Sequence, residues 1–198
     1  MATKPGQQRL GIRALTMQQP FAAALAAGIC LYTRRGKTTS FPASGEVVGV
    51  HCGQNDEHLR NGALMREVRR VWPGCPTIEA LRAGQRSFLG VARFVDGACD
   101  ARAAAKMDPV LALYACTKPV AWRADAARAC AAPLPYPKGN LQLWHVDAGG
   151  FADPAACARL LEVARLAGAP PALEAAPRGA KRAAERSEAT GGGRKKQK

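Results

Sequence analysis

The chain has 198 residues, with 29 Lys and Arg against 15 Asp and Glu, for a formal net charge of +14. An excess of that size favours polyanions as company, while an apolar fraction of 47% is enough for one packed domain. The seven cysteines are an odd number, are widely scattered and include no C-x-x-C pair, which argues against a closed disulfide framework and a zinc finger and leaves free thiols and no cofactor or metal as the expectation.

Near the start, an uncharged run from Ala14 to Thr33 is interrupted by Gln18-Gln19-Pro20. No stretch reaches the 18 or so apolar residues that span a bilayer, so a soluble protein without a membrane partner is expected, an organellar leader being the alternative. Ile12 to Met17 reads as a strand. Pro20 then sits at the first turn of an Ala-rich helix, Phe21 to Ala27, which Gly28 ends. Ile29 to Arg35 reads as a strand, 36–45 as a polar loop, and Glu46 to Cys52 as a Val-rich strand. Asn55 is placed to cap a helix running to Trp72, with Asp56 and Glu57 in its first turn. Along it Leu64, Met65, Val68, Val71 and Trp72 form an apolar stripe beside a cluster of Arg66, Arg69 and Arg70.

Thr77 to Ala83 allows a short helix. Ser87 to Val95, Val110 to Thr117 and Leu141 to Val146 are further strand candidates. Asp153-Pro154 joins an N-cap to a proline at the first helical position, so Ala155 to Ala167 is expected to be a closing helix. Short strands mixed irregularly with few helices point to an α+β domain on a small barrel rather than to repeated βαβ units. Neither a Walker-type nor a dinucleotide-binding glycine fingerprint is present.

The last 22 residues hold eight Lys and Arg against two Glu. Within them Lys181-Arg182 and Arg194-Lys195-Lys196 are separated by eleven residues. Two basic clusters so spaced resemble a bipartite nuclear localisation signal, read by an import receptor with two acidic grooves. The other reading is a disordered basic tail that touches RNA or DNA without specificity. Either places the chain among nucleic acids, with the nucleus as the expected location.

Four blocks in order, ALTMQQPFAAALAAGICLYTRR (14–35), GEVVGVHCG (45–53), SFLGVARFVDG (87–97) and PKGNLQLWHV (137–146), resemble those of the ASCH (activating signal cointegrator homology) domain, a relative of the PUA fold. The resemblance implies a small PUA-like β-barrel with flanking helices over 12–147, preceded by a flexible lead (1–11) and followed by a C-terminal helix (148–170) and the disordered basic tail (171–198). It also implies a cleft near the loop after the first strand, and association with RNA, modified nucleosides or transcription coactivation. The family signature, roughly G-x-K-x-x-E-x-R, meets Gly28 and Arg35 here, but Cys30 stands at the lysine position and Thr33 at the acidic one. Some bacterial relatives resemble acetylcytidine amidohydrolases, whose active site uses that lysine, a threonine matching Thr33 and a distant glutamate.

Without the lysine, catalysis would need Cys30 activated by a base such as His51, assisted by Thr33; the alternative for Cys30 is a buried, space-filling thiol. For binding, Arg35 and Lys37 beside Gly36 suit phosphate, Gln18 and Gln19 suit a base edge, and His51 suits either a ligand or a structural hydrogen bond. Arg66, Arg69 and Arg70 form either a solvated face or a phosphate-contacting one. Trp122 and Trp144 are core or stacking residues. The leading expectation is a non-catalytic nuclear module binding RNA, or else DNA, alongside transcription or RNA-processing proteins. The alternatives are a hydrolase of a modified nucleoside or RNA, and a protein-binding coactivator scaffold.

Overall fold

The computed structural model describes residues 9–35, 41–114, 119–140 and 142–168. Lys37 and the tail positions Lys181, Arg182, Arg194, Lys195 and Lys196 lie outside the described residues. In chain order the elements are β1 (Arg9–Met17), α1 (Phe21–Ala26), β2 (Tyr32–Arg35), β3 (Val47–Cys52), α2 (Glu57–Arg60), α3 (Gly62–Val71), α4 (Ile78–Ala83), β4 (Ser87–Asp100), α5 (Ala101–Met107), α6 (Pro109–Leu113), β5 (Val120–Pro135), β6 (Trp144–Asp147) and α7 (Pro154–Leu166).

The α+β class expected from the sequence is what the chain adopts. All six strands join one mixed sheet in the order β2-β5-β4-β3-β1-β6, with β1 and β3 parallel and the other neighbours antiparallel. β2 and β6 occupy the two edges, so hydrogen bonding among the described residues does not close the sheet into a barrel. β3 is buried at every position, the signature of a strand covered on both faces. One core gathers Leu15, Val48, Val50, Ala92, Phe94 and Trp122 under α1 and α6; the other gathers Ile12, Val47, Phe88, Val91 and Val146 under α7. α7 supplies Ala156, Leu160 and Ala164 at four-residue intervals, one stripe of a helix laid on a sheet.

Two expectations are corrected, and one strand appears where none was expected. The helix expected from Asn55 to Trp72 is two helices, because Asn61 is extended (φ −79°, ψ 92°) and its Oδ1 accepts from Leu64 N at 3.0 Å, starting α3 afresh. Val110 to Leu113, expected as strand, is helical: Asp108 Oδ1 accepts from Val110 N and Leu111 N at 3.0 and 2.9 Å, with Pro109 in the first turn. β5, whose alanine-rich run carries no strand signal, is sixteen residues long and pairs with β2 on one side and β4 on the other.

In the β4–β5 ladder Gly90 stands opposite Ala129. A β-carbon there would lie 2.3 Å from Arg128 O and 2.9 Å from Ala129 Cα, both backbone atoms that cannot rotate aside. Gly90→Ala is expected to destabilise the fold by about 2 kcal/mol, read as a lower urea midpoint at an unchanged slope; an unchanged midpoint would contradict this packing.

Candidate functional site

At the carboxyl ends of β1 and β3 the chain builds a hydrogen-bonded floor. His51 is 1% exposed, with Nε2 2.9 Å from Tyr136 O and Nδ1 3.3 Å from Thr16 Oγ1. A carbonyl only accepts, so Nε2 carries the proton and Nδ1 accepts from the Thr16 hydroxyl. That hydroxyl in turn accepts from Asn140 N and from Trp144 Nε1, each at 3.2 Å. Its one donor and two acceptor sites are thereby filled. Burial lowers the His51 pKa, outweighing the Tyr136 carbonyl, which raises it. The imidazole is held neutral in one tautomer.

Above this floor opens a cleft of about 620 Å³. Thr33, Arg34 and Arg35 reach it from β2, Arg86 from the joint between α4 and β4, Lys138 from the segment after β5, and Gln54 and Asn55 from the loop after β3. β2 and β1 stand four places apart in the sheet yet face the same cleft, so the sheet curls until its edge strand approaches the end of β1. Among the described residues the lining includes four cationic residues and no carboxylate. Arg35 is steadied by the Trp122 ring, whose centroid lies 5.2 Å from its Cζ. A wider cavity of about 740 Å³ lies between β1 and α7, but its charged groups are paired: Arg165 with Glu162, and Glu46 with Arg13.

The structure brings Gln18, Thr33, Arg35 and His51 together in this lining and leaves the other candidates elsewhere. Gln19, read as a base-contacting amide, is 1% exposed; its Nε2 donates to Leu81 O at 3.1 Å and its Oε1 accepts from Ala23 N at 3.2 Å, fixing α1 to α4. Cys30 is 2% exposed and outside the lining, with its thiol donating to Tyr32 O. Burial, reinforced by nearby Asp108, pushes its pKa up, the reverse of what a nucleophile needs. Arg66, Arg69 and Arg70 are exposed on α3, away from the cleft, and Arg70 pairs with Glu67. Trp122 is core, and Trp144 is half-buried in the aromatic cluster around His51.

Arg34, Arg86 and Lys138 are cleft residues that reading the sequence missed. Lys138 stands between Pro137 and Gly139 in the last of the four blocks, a turn-like setting that could have marked it. Nothing local marks Arg86. Among the described residues no group of three His, Cys, Asp or Glu is placed to hold a metal, and no helix is long and apolar enough to cross a membrane. No protein-family model matches the chain, and no curated protein matches it.

Because the folded His51 resists protonation, the unfolded chain takes up a proton first as pH falls past the ordinary imidazole value of about 6.5. Stability is therefore fully present above that value and declines as pH drops through it toward the lower folded-state pKa. His58, also lowered by burial, acts in the same direction. The thermal midpoint is expected to fall between about pH 7 and 5, and His51→Gln should flatten that slope; a variant with the full wild-type slope would remove His51 as its source.

Proposed function

We propose that the chain is a non-catalytic nucleic-acid-binding module of the ASCH type, with a PUA-like curled sheet, that receives single-stranded RNA in the cationic cleft. One observation carries this reading: Arg34, Arg35, Arg86 and Lys138 converge on a concavity that has no carboxylate among its described lining residues. Phosphodiesters are the ligand such a lining attracts, through Coulomb attraction and bidentate guanidinium contacts. Uncharged donors and acceptors on Gln18, Thr33, Gln54, Asn55 and Asn140 line the same space and suit base or ribose edges. A concavity of about 620 Å³ suits an unstacked nucleotide better than a rigid duplex. A hydrolase reading keeps Thr33 and His51 in the cleft but loses Cys30, since position 30 offers a buried thiol in place of an amine. Under this proposal the basic tail is the import address, and the module works in the nucleus beside transcription or RNA-processing proteins.

Binding of a short single-stranded RNA, followed by fluorescence anisotropy, should weaken about 50-fold between roughly 50 and 200 mM salt if about four phosphates are neutralised. An affinity indifferent to salt would sink the reading. Separately, replacing Lys181, Arg182, Arg194, Lys195 and Lys196 by alanine should leave a reporter fusion cytoplasmic; continued nuclear accumulation would refute the address.

A further inference from the structure

The geometry points to Arg86 as the phosphate anchor of the cleft, aimed by a backbone conformation that arginine adopts only under constraint; this rests on the polyanion reading above. Arg86 has φ +55° and is the one non-glycine residue with positive φ among the described residues. The others with left-handed backbone, Gly11, Gly28, Gly45 and Gly168, lack the β-carbon that makes this region unfavourable. Glycine is the residue that position 86 would carry if only the turn mattered.

Two hydrogen bonds hold the strained residue in place. Arg86 N donates to Cys52 O at 2.9 Å, and Arg86 O accepts from Tyr136 N at 2.8 Å. The residue thus bridges the end of β3 to the end of β5, both of which border the cleft. The preceding Gln85 Nε2 donates to Gln54 O at 3.1 Å, tying a second lining segment to the same joint. From this position the exposed Arg86 side chain reaches the cleft.

Nearby arginines are engaged differently. Arg60 and Arg82, from α2 and α4, both pair with Asp56. No ion pair among the described residues engages the Arg86 guanidinium. A planar fork of N–H donors on a rigid mount, at a space whose described lining has no carboxylate, matches a tetrahedral phosphate oxygen pair. Strain kept at a cleft side chain fits a binding role, since preorganised contacts lose less on association.

The phosphate could belong to an RNA backbone or to a small phosphate compound, and two probes separate these. Full-length wild type, Arg86→Gly and Arg86→Lys are compared for thermal midpoint, for affinity toward a short oligouridine, and for affinity toward inorganic pyrophosphate. Arg86→Gly, freed of the β-carbon strain, should melt no lower than wild type while binding both probes about tenfold more weakly. Arg86→Lys, charged but without the fork, should fall between. Wild-type affinity in Arg86→Gly would overturn the anchor and leave the cleft reading standing. Arg86-dependent binding of pyrophosphate without binding of oligouridine would retain the anchor and overturn the RNA reading. Wild type binding neither probe would overturn both. A glycine variant that melts lower and binds more weakly would assign Arg86 to folding and overturn the anchor.

Discussion

The Thr16 hydroxyl is the point on which the cleft depends. Threonine has one hydrogen to give and two lone pairs to fill, and here His51, Asn140 and Trp144 use all three. β1, β3 and the segment after β5 are thereby pinned to a single atom. The segment cannot ride higher or lower, because Gly139 rests on the imidazole edge so closely that a β-carbon would stand 2.7 Å from His51 Cε1. Protonating His51 would set an N–H against a hydroxyl whose acceptor sites are already taken. The floor is therefore coherent only with a neutral imidazole, and burial independently favours that form.

The described lining of the cleft lacks carboxylates because the acids are engaged elsewhere. Glu46 pairs with Arg13, Asp56 with Arg60 and Arg82, Glu67 with Arg70, Asp125 with Arg93, Asp153 with Arg159 and Glu162 with Arg165. Asp100 and Asp108 accept from the first amides of α5 and α6. Most of these pairs are exposed and add little stability. Their larger effect is on the map of potential, since each neutralises a cation away from the cleft, whose described lining holds Arg34, Arg35, Arg86 and Lys138 and no carboxylate.

The class of the fold and a minor part of the cleft were legible in the sequence. Pro20, Thr77 and Asp153-Pro154 announce their helices by local chemistry, which survives any tertiary context. The Asp108-Pro109 pair carries the same signal as Asp153-Pro154, and there the apolar run VLAL masked it as a strand. β5 was illegible for a different reason. Alanine favours helix intrinsically, and only the long antiparallel ladder to β4, with β2 on the other side, makes VAWRADAARACAAPLP a strand. Thr33 and Arg35 were found through the family signature, and Gln18 and His51 because they stand beside a turn or near the end of a strand, where side chains meet at a cleft. Arg86 was not, because a left-handed arginine looks in sequence like any other arginine.

The division between floor and rim follows from the same physics that hides it from sequence. A charge is expensive to bury, so the positions that seal the cleft from the core carry groups that hydrogen-bond without ionising: Thr16, Thr33 and neutral His51. Arg86 and Lys138 are exposed at the solvent edge, whereas Arg34 and Arg35 are half-buried. A site so layered presents uncharged donors and acceptors inside and positive charge outside. The complementary ligand has the reverse order, an uncharged polar body entering first with an anionic group trailing at the mouth, which is the layout of a nucleotide unit whose base leads and whose phosphate follows.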